Sequence, residues 1–131
     1  FEIGNSAYYQ RFQAIMGSHV PAAALMRYFE AQSTWDDVMA TVTIGFLKAH
    51  PDQVLVIIVG DFHVQYGGGL PDRIQKRLSQ NPDLSQTRVK TFSLINIEGM
   101  SQDEREEAVR PTSQDGPRAD FVWTSQFEIQ F

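Results

Sequence analysis

The chain is expected to be α/β: a partial parallel-sheet domain flanked by helices and lacking N-terminal strands. Three observations predict this. Residues 54–59, Val-Leu-Val-Ile-Ile-Val, form an unbroken, β-branched run closed by Gly60, the pattern of a strand buried on both faces of a parallel sheet. Helical periodicity precedes the run, and Gly67-Gly68-Gly69 with Pro71 opens another helix after it. Only two more strand-like segments follow, so the strand at 54–59 lacks neighbours on both sides.

The elements read as follows. Residues 7–16 form a helix with Tyr8, Tyr9, Phe12, Ile15 and Met16 as apolar contacts, broken at Gly17-Ser18. Pro21 starts a second helix running to Glu30, since proline suits a first helical turn. Thr34 caps a third, with Asp36 and Asp37 at the positive end of its dipole. Along it Trp35, Val38, Met39, Val42, Phe46 and Leu47 make an apolar stripe that ends at His50-Pro51. A helix runs from Pro71 to Leu78, and a strand of mixed alternation spans 88–97. Ser101-Gln102-Asp103-Glu104 is a capping box that opens a polar helix ending before Pro111. Residues 120–124 read as the last strand. No linker divides residues 1–131, which are expected to be one portion of a single domain.

Composition narrows the function. The 131 residues carry a net charge of −5 and no basic stripe, which argues against nucleic acid as a partner. The absence of cysteine excludes disulfides, thiolate metal sites and cysteine nucleophiles. No G-x-S-x-G, H-E-x-x-H or calcium loop occurs. Three widely separated histidines argue against a complete protein-only zinc site. The chain opens on Phe1 rather than methionine, and is expected to be a piece of a longer polypeptide.

His63 leads the candidates for chemistry. It follows the strand at the carboxyl end, where open α/β sheets hold ligands. Its imidazole suits a metal, haem iron or base catalysis; the plain alternative is a histidine bonded to a backbone carbonyl. Tyr66 reads as a phenolate ligand to ferric iron, a wall against a flat cofactor, or a surface residue. Gly68, within the glycine run, would let backbone approach a ligand or simply lend the loop flexibility. Arg73 would pair with a propionate or another carboxylate, or remain a solvated helix charge. His19, in the break between helices, is either a helix-terminal residue or a partner of His63. Asp36 and Asp37 could support a site, although capping accounts for them.

Several segments together resemble the ChaN-like haem-binding uptake proteins. These are Tyr28-Phe29-Glu30-Ala31-Gln32 followed by Trp35-Asp36-Asp37-Val38-Met39-Ala40, then Val56 to Val64 with its Gly60-Asp61-Phe62-His63, then Gly69-Leu70-Pro71-Asp72-Arg73, and Gly116 to Trp123. The resemblance spans about residues 12–123. It implies the C-terminal portion of a domain from the superfamily shared with erythromycin-esterase-like enzymes and Tiki proteases, whose upstream "GExH" motif has no counterpart here. It further implies haem binding for bacterial iron acquisition without turnover, in the periplasm or at the outer membrane. His63 is carried over as a motif match. Tyr66, Gly68 and Arg73 follow from its loop, and His19 from a histidine common before the "AQ" helix; His63 and Tyr66 are the metal-ligand candidates. The alternative is a metal-dependent hydrolase of the same superfamily, using zinc or another divalent metal. Expected partners are haem, the missing N-terminal half of the domain, a second copy of the chain, and a membrane reached through an anchor outside this sequence.

Overall fold

A computed structural model of the chain describes residues 1–113 and 115–125. The order is helix α1 (Ser6–Met16), helix α2 (Ala22–Ala49), helix α3 (Leu70–Ser79), strand β1 (Phe92–Asn96), helix α4 (Gln102–Val109) and strand β2 (Phe121–Ser125), with short 3-10 turns at Asp61–His63, Gln65–Gly67 and Pro82–Leu84. The mixed α/β class expected from the sequence is present.

Local chemistry sets most boundaries. The Asn5 side chain accepts the Tyr8 N–H to start α1. Ser101 and Glu104 form the expected reciprocal capping box on α4. Pro51 stops α2 directly after His50. β1, α4 and β2 make a strand–helix–strand unit whose strands pair in parallel, Phe92 opposite Phe121 and Leu94 opposite Trp123.

Two expectations are corrected. The second and third helices are one 28-residue helix, about 42 Å long. Thr34 caps nothing: its hydroxyl donates to the Glu30 carbonyl one turn back. No glycine or proline interrupts residues 30–34, and Phe29, Ser33 and Asp36 bury one continuous face, so tertiary contact overrides the cap signal. The expected stripe is buried only in part: Met39 and Leu47 pack against the core. Trp35, Val38 and Val42 face outward, whereas Ala40, Thr43 and Ile44 turn inward.

The segment 54–59 is the second correction. It joins no strand ladder, and none of its residues takes part in a backbone–backbone hydrogen bond among the described residues. It is not buried on both faces: Val54 and Ile58 are 90% and 91% exposed, while Leu55 and Val59 on the alternate face are half-buried. Its apolar character is that of a central strand, but no described neighbour supplies the pairing.

The core has two centres strung along α2. Tyr8 and Phe12 of α1 pack with Leu25 and Phe29 near the start of α2. Ala40 and Ile44 near its end pack with Leu70, Ile74 and Leu78 of α3 and with Leu84.

Candidate functional site

Midway between these centres α2 carries Asp36, whose side chain is fully buried. An ionised group removed from water needs partners, and Asp36 has them. Its Oδ1 lies 2.6 Å from His63 Nδ1, and its Oδ2 accepts the Tyr8 hydroxyl at 2.9 Å. Arg73 Nη1 stands 4.0 Å from Oδ2. Gln32, one turn before Asp36, donates to the Tyr8 hydroxyl at 3.0 Å.

These contacts assign the protons. Gln32 Nε2 also lies 2.9 Å from His63 Nδ1, yet Nδ1 cannot accept from an amide while donating to a carboxylate. The shorter, charge-assisted contact places the proton on Nδ1, donated to Asp36. Nε2 is left with its lone pair, 3.4 Å from Gln32 Nε2. Burial, reinforced by the Asp36 charge, pushes the Tyr8 hydroxyl well above the usual phenol range. Tyr8 therefore stays a donor.

Beside this network is an open groove of about 350 Å³ lined by Phe12, Ile15, Met16, Tyr28, Ala31, Gln32, Trp35 and Phe62. Gln32 belongs to both the network and the groove, and Phe62 directly precedes His63. The walls are almost wholly apolar and mostly aromatic or long-chain, and the His63 side chain, which contacts Gln32, is 21% exposed.

Tyr66 lies at a different place. It adopts the left-handed backbone region at φ 57°, a conformation that costs free energy for any residue with a side chain. Its N–H donates to the Arg118 carbonyl at 2.6 Å. The guanidinium carbons of Arg11 and Arg118 stand 5.2 and 5.9 Å from its ring centre, within cation–π range. Arg11 pairs with Asp115, and Arg118 with Asp61. Tyr66 lines a smaller recess with these arginines; Ile15 is the one lining residue it shares with the groove beside Gln32.

The remaining candidates are placed as follows. Gly68 and Gly69 are buried against α1. A Cβ at Gly68 would stand 3.2 Å from Tyr8 Cβ, and one at Gly69 would stand 2.6 Å from the His63 carbonyl oxygen. The glycine run thus brings the loop against α1 rather than forming an open flexible loop. Arg73 is neither solvated nor turned outward. It is 3% exposed and donates to the carbonyls of Gly69 and Glu2 at 3.1 and 2.9 Å. His19 is exposed in the turn between α1 and α2 and shares no hydrogen bond with His63 among the described residues.

Sequence reasoning sets Asp36 aside in favour of capping and assigns no site role to Tyr8 or Gln32. The signal was present: Gln32 and Asp36 are polar residues four apart in a helix whose neighbouring turns bury Phe29, Ala40 and Ile44. Reading Asp36 as a dipole-end residue hid it, because that explanation required a helix start at Thr34. Among the described residues no three His, Asp or Glu side chains converge as a divalent-metal cluster.

The comparisons with known proteins come to one match. The family model described as "Haem-binding uptake, Tiki superfamily, ChaN" matches residues 1–74. That stretch contains Tyr8, Gln32, Asp36, His63 and Arg73 and stops short of β1 and β2. No curated protein and no solved structure matches the chain. The match takes in more than half of the sequence, and the chain belongs to this family of haem-binding uptake proteins.

Proposed function

We propose that the chain binds haem for bacterial iron acquisition, without catalytic turnover, in the groove between α1 and α2 beside His63. The observation that carries this is a histidine with Nδ1 held by a buried carboxylate, in contact with Gln32 and next in sequence to Phe62, two residues that line an apolar, aromatic-walled groove. This donor set fits haem: Phe12, Met16, Trp35 and Phe62 would offer an apolar wall to a flat macrocycle, and His63 Nε2, whose lone pair faces the Gln32 amide only at 3.4 Å, would be the nitrogen offered to a metal. When bound, haem supplies an iron centre able to take an axial nitrogen ligand. His63 offers Nε2, Asp36 fixes the tautomer and ring orientation, and the groove walls exclude water. Tyr66 is the alternative ligand, kept because it shares the loop with His63.

The bare edges and exposed face of residues 54–59 support a domain containing further strands, of which residues 1–131 form the C-terminal portion. An uptake role points to the bacterial periplasm or the outer membrane. No helix among the described residues is long and apolar enough to cross a membrane; membrane anchoring through a segment outside this sequence belongs to the same proposal.

One observation favours the hydrolase reading. An Asp–His pair whose Nε2 keeps its lone pair is also the arrangement of an oriented general base.

Titration with ferric haem tests the proposal. A Soret band that saturates with the protein, and that shifts or weakens about tenfold or more in affinity in His63→Ala, is expected. Tyr66→Phe should leave it nearly unchanged. A Soret band insensitive to His63→Ala but lost in Tyr66→Phe transfers the ligand role to Tyr66. Zinc-dependent hydrolysis without haem binding selects the alternative.

A further inference from the structure

We infer that Tyr8 and Gln32 are positioning residues that set how strongly Asp36 pulls on the His63 proton, and so set the preference of the site for ferric over ferrous haem. The inference rests on the reading of His63 as the iron-facing residue.

The geometry is a short relay. Asp36 has no solvent contact, so its charge is distributed only among protein donors. Oδ1 faces His63 at 2.6 Å, and Oδ2 accepts from Tyr8 at 2.9 Å with Arg73 at 4.0 Å. Tyr8 is itself fully buried, and its hydroxyl accepts from Gln32. The Gln32 amide points the phenolic proton at Asp36 by occupying the hydroxyl as a donor from the other side. Nothing in the packing of Tyr8 requires the hydroxyl. Its ring stacks on Phe62 at 5.0 Å and meets Phe29 edge-on at 5.5 Å, contacts a phenylalanine would keep.

Each donor to Oδ2 withdraws charge from the carboxylate, and what remains acts on His63 Nδ1–H. A stronger pull gives the imidazole more anionic character at Nε2 and makes it the better ligand for the more positive iron. Removing the Tyr8 hydroxyl should therefore strengthen the pull. Removing the carboxylate charge should abolish it. The two isosteric variants Tyr8→Phe and Asp36→Asn move the same property in opposite directions, which a merely structural role cannot do.

The test has two readouts on the 131-residue chain. The first needs no haem. Nitrogen-15 spectra of the free protein should show His63 as the Nδ1–H tautomer, with its ring N–H proton well downfield. That proton should move further downfield in Tyr8→Phe and lose its shift in Asp36→Asn. The second is the ratio of ferric to ferrous haem affinities, measured with haem alone. It should fall about tenfold or more in Asp36→Asn and rise roughly two- to threefold in Tyr8→Phe. Far-ultraviolet circular dichroism confirms that each variant keeps its helices; if Asp36→Asn does not, the Tyr8→Phe arm alone decides. An Nε2–H tautomer in the free protein overturns the inference, as does a Tyr8→Phe ratio that is unchanged or falls. If the tautomer and its two shifts appear but the unmodified protein binds no haem, the relay stands and the haem reading fails.

Discussion

The helical and sheet regions of this chain solve the same physical problem to different degrees. From residue 6 to residue 49, and again through α3, backbone groups pair within helices and apolar side chains meet in two compact centres. The buried Asp36 charge there is partnered by His63 and Tyr8, although the Nε atoms of Arg11 and Arg73 are buried without a hydrogen-bond partner among the described residues. In the sheet region, residues 54–59 pair with nothing described, and the two-stranded sheet turns Phe92, Leu94, Phe121 and Trp123 outward on one face. A helix satisfies its backbone from its own residues, whereas a strand depends on neighbours. The difference teaches that the liabilities lie in the sheet region, while the candidate site joins the two: Tyr8, Gln32 and Asp36 come from the helices, and His63 from the turn directly after residues 54–59. The proposed further strands would cover those liabilities.

Four experiments would break or sharpen this contrast. The largest effect is expected from Phe29→Ala. Phe29 is buried to 1% and touches the rings of Tyr8, Tyr9 and Phe12, so its loss should cost about 3–5 kcal/mol in denaturant unfolding. A cost below about 1 kcal/mol would mean that the helical core is not packed as described. Next is Gly69→Ala, where the new Cβ meets the His63 carbonyl oxygen at 2.6 Å. Backbone must shift, at roughly 1–3 kcal/mol, and haem binding should weaken along with thermal stability because His63 moves too.

Ile58→Lys probes the sheet region. On a face already 91% exposed, a charge should change the stability of the isolated chain by less than about 0.5 kcal/mol while reducing self-association in sedimentation velocity. A large destabilisation would show that this face is covered in solution. The smallest effect concerns pH. Lys90 donates to Asp120 and is the chief cause that holds its carboxyl down, to about 2, helped by the Thr91 N–H and hydroxyl. The folded value lies below the ordinary 3.8, so the contribution is fully present above 3.8 and is lost as pH falls through about 2. Asp120→Asn should therefore flatten the acid limb of stability slightly. The pair is exposed, so added salt should shrink the difference.

How much the sequence disclosed follows the same division. The capping box at Ser101 and the stop at Pro51 were legible because the chemistry of a helix end lies within a few residues. The glycine and proline before α3 were equally local. The apolar run at 54–59 was visible, but its pairing was not, because pairing belongs to whatever lies beside it. His63 could be singled out by its position after that run. Asp36 could not, because only the approach of α1 and the 60–69 loop to the middle of α2 turns an ordinary helix aspartate into a buried hydrogen-bond centre. The solvated alternative for Arg73 fails for the same reason: its burial depends on Glu2 and Gly69 folding over it, and it stands 4.0 Å from the carboxylates of Asp36 and Asp37.

The continuity of α2 also bears on the order in which the molecule assembles. Tyr8, Gln32, Asp36 and His63 are brought together across separations of fewer than thirty residues for the Asp36 contacts, whereas Arg11 reaches Asp115 across 104. Contacts that close short loops form sooner than those that close long ones. Once α2 is continuous, it supplies Gln32 and Asp36 in fixed register, and only α1 and one loop need dock. The pairing of β1 with β2 and the clamping of Tyr66 by Arg118 come from the far end of the chain. A nascent polypeptide would thus hold its His63 network before the Tyr66 recess exists, and the two halves of this loop would acquire their partners at different times.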